Sequence, residues 1–449
     1  MKETEKKVDQ VDALVICSTL NQITNYLLIK LFKPNKVINI TLESNSDKFT
    51  KINIKNKKWD DYLDSVLKKE LDIGITNSIE LNINQLKNLN KIKRVLKKTK
   101  FDVLKDKSKT VYWNVTGGQR TIALAVQQFI NDNARKKDKM LYVEGNTEKL
   151  LIMNENEFSE KEYSDRELNL ETALKLVGFK NFDKGNKNLL TGQNEEEYQL
   201  FLKLYNMISD KDFRFEYNDE KLNLRDHLIK SNKEEKVEAR KSYLKQLFKD
   251  LEGKTFNEKL KTVEILTCED IKFLFKKDSN ENYKYIKTSY PAGSIFEKIT
   301  GYKILEIINR KNYNIVDMRL NYKTRFDPES NQERSEKQID ELDIVLLTGT
   351  GQIIIFECKS GGMSGDNAKS HKYTTYRLAG VFGAPIFLSP LFEQETYEAN
   401  NSDKKDILNN CQAAYRSADR SELETWPLNK IEEYFDEMMK KFKIEGEEK

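Results

Sequence analysis

Short apolar runs alternate with helical patterns at the start of the chain. The run Ala13–Cys17 predicts a buried strand, and the apolar residues spaced at helical intervals after it predict a helix that ends near Pro34. A second apolar run follows directly at Lys36–Leu42. A strand, a polar turn, a helix and another strand in this order predict an α/β unit with a parallel sheet.

The same pattern returns about seventy residues later. Val111–Thr116 predicts a strand, Thr121–Ile130 predicts a buried helix, and the residues Gly117-Gly118-Gln119-Arg120 separate the two. One more strand is predicted at Leu141–Glu144. We therefore predict a Rossmann-like domain over residues 1–148.

The pattern changes after this domain. Residues 149–277 are rich in Lys, Glu and Asn and carry helical patterns such as Glu196–Ile208, so we predict a helical connector or insertion without chemistry of its own. Residues 278–449 return to mixed strands and helices. This last segment is predicted to form a second α/β domain with a mixed sheet.

Two apolar strands with charged residues near their ends lie in the last segment. Glu341–Leu347 and Ile353–Lys359 are joined by a short turn with two glycines, which predicts a hairpin. A hairpin symmetric about Thr350 places Asp343 opposite Glu357, and directly opposed residues have Cβ atoms about 4.5–5.5 Å apart. Lys359, two residues beyond Glu357, projects from the same face.

This patch has the composition of a metal site. Two close carboxylates repel each other unless a cation lies between them, and their hard oxygens suit Mg²⁺ or Mn²⁺. The backbone carbonyl of Cys358, between Glu357 and Lys359, is a candidate further ligand. A lysine beside a metal can orient a water and stabilise negative charge on a phosphate. The patch is therefore suited to phosphodiester hydrolysis.

Some assignments stay open at this point. Glu297 lies three residues after Ser294, the spacing of a helix capping box, so that motif alone could explain it. Asp340 and Glu341 are rival acids beside Asp343, which we prefer on register. The alternative to a metal site is a surface hairpin with ordinary polar ends.

Composition narrows the possible chemistry. The 449 residues include 77 Lys and Arg against 73 Asp and Glu, a formal net charge of +4, so nucleic-acid binding would depend on local patches. Only two histidines are present, which argues against a His-rich zinc site. Four widely spaced cysteines, no long apolar run and no signal-peptide core lead us to expect a cytoplasmic protein without membrane segments.

The hairpin pattern resembles the PD-(D/E)XK nucleases, with Asp343 as the acid and Glu357-Cys358-Lys359 as the E-x-K element. No proline precedes Asp343, which departs from the usual motif. The resemblance implies a restriction-endonuclease-like α/β domain that cleaves DNA or RNA with Mg²⁺ or Mn²⁺. It implies metal ligation by Asp343, Glu357 and the Cys358 carbonyl, and catalytic roles for Glu297, Asp343, Glu357 and Lys359.

The Gly117-Gly118 turn exposes backbone N–H groups at a helix start, which favours an anion. It is not a Walker A loop. Together with the polar turn after the first strand, it resembles the CARF domain, the sensor of cyclic oligoadenylate in type III CRISPR defence. That resemblance implies that the ligand binds residues of both turns across a homodimer axis: Thr19, Asn21, Thr116, Gly117, Gly118, Gln119 and Arg120.

A CARF domain followed by a PD-(D/E)XK domain is similar to the CRISPR ancillary nucleases activated by cyclic tetra-adenylate. The resemblance implies a homodimeric, metal-dependent nuclease gated by that ligand. A HEPN-type RNase is disfavoured because neither His227 nor His371 has an arginine at the required upstream spacing. A catalytically silent sensor and a restriction-type endonuclease without a cyclic nucleotide remain the alternatives.

Overall fold

The computed structural model describes residues 10–444, with gaps inside that range. The gaps are 44–57, 145–146, 155–156, 182–185, 218–219, 254, 259–260, 265, 268–269, 271–272, 275, 278–282, 285–289, 327–339, 381–382 and 398–404. No helix within the described ranges is both long and apolar enough to cross a membrane.

Strands and helices are numbered along the chain. The strands are β1 (Ala13–Cys17), β2 (Val37–Leu42), β3 (Ile75–Leu81), β4 (Val111–Asn114), β5 (Lys139–Val143), β6 (Lys149–Met153), β7 (Phe158–Glu162), β8 (Phe179–Asn181), β9 (Phe215–Tyr217), β10 (Glu220–Leu222), β11 (Thr255–Glu258), β12 (Lys261–Glu264), β13 (Lys276–Lys277), β14 (Tyr283–Lys284), β15 (Ile315–Phe326), β16 (Asp340–Thr348), β17 (Ile353–Cys358), β18 (Ala384–Ser389) and β19 (Glu424–Pro427). The helices are α1 (Ile23–Phe32), α2 (Lys58–Glu70), α3 (Ile83–Leu86), α4 (Leu89–Lys98), α5 (Asp102–Lys105), α6 (Arg120–Asp132), α7 (Leu170–Leu176), α8 (Leu189–Gly192), α9 (Glu195–Ser209), α10 (Leu224–Ser231), α11 (Val237–Leu251), α12 (Pro291–Lys311), α13 (Gly365–Ala379), α14 (Lys405–Arg420) and α15 (Ile431–Lys441).

The first sheet has the order β3-β2-β1-β4-β5-β6-β7. Strands β1 to β5 run parallel to one another, and β6 and β7 continue the sheet in antiparallel pairing. The predicted Rossmann-like parallel sheet is confirmed. Because β6 and β7 belong to it, however, the predicted boundary at residue 148 cuts through the sheet, which ends at Glu162.

The second sheet is mixed, as predicted, and has the order β19-β18-β17-β16-β15-β8. Strands β16 and β17 form the expected hairpin, with Ile344 opposite Phe356 and Leu347 opposite Ile353. This register confirms the symmetry about Thr350. Strand β8 comes from the predicted connector, whose residues therefore complete the edge of the C-terminal sheet.

Helices of the connector pack against the C-terminal domain. Leu204 of α9 and Phe248 of α11 share a buried apolar cluster with Phe296 and Ile299 of α12. Helix α12 in turn covers one face of the second sheet, since Ile344 lies in the same cluster. The connector thus supports the helix on which Glu297 lies.

A second apolar cluster joins the two sheets. It contains Ile23 and Leu27 of α1 together with Val345 and Ile355 of the hairpin. At the hairpin turn, a Cβ placed on Gly351 would lie 2.1 Å from the Ile23 side chain. The turn therefore packs directly on α1, and only glycine allows this approach.

We predict that Gly351→Ala destabilises the protein more than Gly253→Ala does. Both glycines have positive φ, 85° and 71°, but an added Cβ at Gly253 meets no atom within 4 Å. Gly253→Ala should therefore lower the free energy of unfolding only by the backbone strain, about 1–2 kcal/mol. Gly351→Ala should lower it by the same strain and by about 1–3 kcal/mol more from overpacking against Ile23. Urea unfolding of both variants measures the difference. Equal losses would contradict a tight contact between the hairpin turn and α1.

Candidate functional site

Three predicted residues meet at the open end of the β16–β17 hairpin. The Lys359 ammonium lies 2.6 Å from Glu357 Oε1 and 3.3 Å from Asp343 Oδ2. The backbone N–H of Cys358 donates to Asp343 Oδ2 at 2.8 Å. Because β17 continues into the parallel pair with β18, this end of the hairpin is held on both sides. The structure therefore brings together the acid, the E-x-K glutamate and the lysine.

Glu297 joins this group from helix α12. The helix begins at Pro291, with Tyr290 as its N-cap, so Ser294 lies within the first turns and the capping-box explanation of Glu297 is wrong. A Cβ placed on Gly293, one turn earlier, would lie 3.8 Å from Ser360 Oγ and 4.0 Å from Glu297 Oε1. Glu297 also lies close enough to Asp343, Lys359 and Glu357 to interact with them electrostatically.

The cluster carries more negative than positive charge. Burial, and then repulsion from Asp343, raise the pKa of Glu297 to about 8 from its ordinary value of 4.5. Burial and the Glu357 carboxylate raise the pKa of Asp343 to about 6, although Lys359 and the Cys358 N–H oppose this. Burial disfavours the Lys359 ammonium, but Asp343 and Glu357 more than offset this and raise its pKa.

The donor set fits a hard divalent cation in its chemistry. The Lys359 ammonium contacts Asp343 and Glu357, and Glu297 lies close enough to repel Asp343. Burial and this repulsion raise the pKa values of Asp343 and Glu297, and a bound cation would favour their charged forms. In the described part of the chain, however, no three His, Cys, Asp or Glu side chains are gathered closely enough to hold a metal ion. In this arrangement the Lys359 ammonium lies between the carboxylates.

Sequence reasoning missed two neighbours of the cluster. His371 on α13 is buried and places Nδ1 3.5 Å from Glu357 Oε2, while burial lowers its pKa to about 4. Asn232, after helix α10 of the connector, donates from Nδ2 to the Ser360 carbonyl and hydroxyl, both at 2.9 Å. His371 is visible in the sequence on the helix after the E-x-K strand but is not among the predicted site residues, whereas nothing in the local sequence marks Asn232.

The two predicted ligand-binding turns also meet. They follow β1 and β4, which are neighbours in the first sheet, so both leave from its carboxyl edge. A Cβ on Gly117 would lie 3.4 Å from the Thr19 Cβ, and Gly118 adopts a φ of 92° against the Cys17 side chain. The turns are thus in contact, and the positive φ of Gly118 favours glycine at that position.

The remaining turn residues fall into two groups. Asn21 Oδ1 accepts from the Ile23 N–H at 3.0 Å, and Thr116 Oγ1 accepts from the Val143 N–H at 2.7 Å, so both side chains order the backbone. Gln119 and Arg120 are exposed, at the N-cap and the first residue of α6. Within the described residues, the side chains of Gln119 and Arg120 make no such hydrogen bond to the backbone and face solvent.

We predict that Glu297→Gln raises the melting temperature of the chelator-treated protein at pH 8 by a few degrees, and changes it little at pH 5. Because the folded-state pKa of Glu297 is about 8, wild-type stability falls as the pH rises from 4.5 to 8, and glutamine avoids this loss. Thermal melts at both pH values measure it.

Glu306→Gln on the same helix is the control with the opposite sign. Lys303 and Arg310 lower the pKa of Glu306 despite its partial burial, so the charged form contributes stability above its ordinary pKa. Its replacement should lower the melting temperature at pH 8. If both variants shifted in the same direction, the buried-charge account of Glu297 would be wrong.

Comparison with known proteins gives matches in structure alone. No protein-family model matches the chain, and no curated protein is similar to it in sequence. Protein VC1899 from Vibrio cholerae aligns with a TM-score of 0.60 and 14% identity, covering 96% of this chain and 98% of that one. A type III CRISPR defence DNA nuclease activated by cyclic oligoadenylate aligns with a TM-score of 0.45 and 13% identity, covering 86% of this chain and 47% of that one.

Can2 from Sulfobacillus thermosulfidooxidans, solved in complex with cyclic tetra-adenylate, aligns with a TM-score of 0.57 and 16% identity. The alignment covers 95% of this chain and 97% of Can2. Both α/β domains, with their 7-stranded and 6-stranded sheets, therefore take part in the match. The chain therefore shares the two-domain α/β fold of Can2.

Proposed function

We propose that the protein is a metal-dependent nuclease of CRISPR antiviral defence, activated by cyclic oligoadenylate in the form of cyclic tetra-adenylate. The observation that carries the catalytic half is the contact of Lys359 with both Asp343 and Glu357 at the end of the hairpin. The substrate is the phosphodiester backbone of DNA, RNA or both. Can2, which shares the fold, was solved with cyclic tetra-adenylate bound, and this supports the sensor half.

Each residue of the cluster has a role in this proposal. Asp343, Glu357 and the Cys358 carbonyl would hold Mg²⁺ or Mn²⁺, which would supply Lewis-acid stabilisation of the phosphate when bound. Lys359 keeps its ammonium charged, since its pKa is raised, and so can orient the attacking water and offset negative charge on the phosphate. Glu297, with a pKa near 8, can exchange a proton with water close to neutral pH.

The ligand would lie over the two turns at the carboxyl edge of the first sheet. Gly117 and Gly118 leave backbone N–H groups accessible there, and Arg120 adds a cation at the N-terminus of α6. In this proposal the homodimer axis passes beside these turns, so that two protomers enclose one ring. The protein would act in the cytoplasm.

The contact between hairpin and sensor supports gating. Helix α1 starts directly after the first ligand-binding turn, and its residues Ile23 and Leu27 pack on Gly351. From Gly351 to Glu357 the strand spans about 20 Å, at about 3.3 Å per residue. A shift of α1 on ligand binding would therefore be transmitted along one strand to the carboxylates.

A cleavage assay tests the catalytic half. Purified protein with Mn²⁺ and cyclic tetra-adenylate should cleave labelled DNA or RNA, and Glu357→Ala should reduce the rate at least about 100-fold, as expected when an essential charged group is removed. Glu341→Ala is the matched control, since this neighbouring acid is exposed and pairs only loosely with Lys323, at 3.6 Å. Cleavage that survives Glu357→Ala would exclude the hairpin site, and no cleavage by wild type would favour a silent sensor.

An activator titration tests the sensor half. Arg120→Ala should raise the cyclic tetra-adenylate concentration for half-maximal cleavage at least about 10-fold, because a charge-assisted contact with phosphate is lost. The maximal rate should change little, since Arg120 is in the other domain. Arg94→Ala, an exposed arginine on α4, should behave like wild type. Cleavage that needs no activator would instead indicate a restriction-type endonuclease.

A further inference from the structure

A buried hydrogen-bond network lies beneath the first ligand-binding turn and centres on Asp60. Its Oδ1 accepts from Ser18 Oγ at 2.7 Å and from Gln22 Nε2 at 2.9 Å. Its Oδ2 accepts from Thr41 Oγ1 at 3.0 Å. The neighbouring Trp59 donates from Nε1 to Ser18 Oγ at 2.6 Å. One carboxylate therefore fixes both ends of the turn 18–22 and links it to the end of β2.

The network continues to the second turn. Asn25 Nδ2 donates to Gln22 Oε1 at 2.7 Å and to the Cys17 carbonyl at 2.9 Å. Asn114 Nδ2 donates to Asn25 Oδ1 at 2.7 Å, and Asn114 Oδ1 accepts from the Thr116 N–H at 3.0 Å. A continuous chain of hydrogen bonds thus runs from Asp60 to the residue that starts the second turn.

The placement of these groups is unusual for a purely structural network. Gln22, Asn25 and Asn114 are almost fully buried, and such polar groups are costly to bury unless every partner is in place. Asp60 lies in the first turn of α2, where a carboxylate is favoured by the helix dipole. The side chains that Asp60 holds all lie at the sheet edge where the two turns meet. The free-energy cost of burying these polar groups therefore falls at the proposed sensor site.

We propose that Trp59 and Asp60 form a third segment of the sensor site. Asp60 is a positioning residue that holds Ser18 and Gln22, and through them Thr19 and Asn21, in the conformation that receives the ligand. Trp59 places an indole beside Ser18 at the first turn, and such rings stack on nucleic-acid bases. This inference rests on the proposed sensor function and adds a residue pair that the turns alone do not contain.

The chain offers a direct readout of binding at this place. Of its three tryptophans, Trp113 and Trp426 are at most 1% exposed, whereas Trp59 is only partly buried. A ligand beside Ser18 should therefore change the fluorescence of Trp59 most, because its indole is the one that solvent and ligand can reach directly. Trp59→Phe should abolish that change, and isothermal calorimetry with cyclic tetra-adenylate provides the dissociation constant independently of fluorescence and of nuclease activity.

Asp60→Asn is the decisive variant, and Asp61→Asn is its matched control because Asp61 is the exposed neighbour in the same helical turn. Asp60→Asn should raise the dissociation constant of cyclic tetra-adenylate at least 10-fold, with the maximal cleavage rate at saturating ligand unchanged. Asp61→Asn should bind like wild type. Ser18→Ala is a milder change and should also weaken binding. It tests the same hydrogen bond if Asp60→Asn does not fold.

Separate outcomes judge the two proposals. If wild type binds and both Asp60→Asn and Ser18→Ala bind within twofold of it, the positioning role is overturned and the sensor function stands. If maximal rate and affinity fall together in both variants, Asp60 has a general structural role and the inference is overturned. If wild type does not bind cyclic tetra-adenylate, both proposals fall. Binding without cleavage removes only the nuclease, and the calorimetric comparison still decides the role of Asp60.

Discussion

The close approach of buried like charges is the constraint on which the C-terminal domain depends. Asp343 and Glu357 are brought together by the hairpin register, and Glu297 is added by helix α12. One ammonium, that of Lys359, contacts both hairpin carboxylates and leaves an excess of negative charge. Such an arrangement costs stability in the free protein, because burial and mutual repulsion both disfavour the charged carboxylates.

The hairpin that carries this cluster also packs against the first domain. Its open end holds the carboxylates, and its turn packs on helix α1, which follows the polar turn after β1. Gly351 is essential to this design because a side chain there would collide with Ile23. The carboxylate cluster and the contact with α1 therefore lie at opposite ends of one hairpin, which is the arrangement that the proposed coupling would use.

Much of the site could be predicted because it depends on local patterns. The apolar hairpin with Asp343 and Glu357 has a register that follows from strand alternation and a short turn, and the structure confirms it. The start of helix α12 could not be predicted from spacing, since Ser294 and Glu297 match a capping box although the helix begins at Pro291. Local propensity is a weak guide to where this helix starts. Ala292 and Phe296 pack in the core, and this packing extends the helix towards its N-terminus.

By itself, the sequence determined the two α/β domains, the parallel order of the first sheet and the meeting of Asp343, Glu357 and Lys359, because each follows from alternation, turns and short-range register. The tertiary structure alone decided which residues from distant parts of the chain contact the candidate sites of the two domains. His371 reaches Glu357, Asn232 reaches Ser360, and Asp60 reaches Ser18 through packing between elements far apart in the chain. Long-range contacts of this kind arise from the burial of shared surfaces, and no local pattern encodes them.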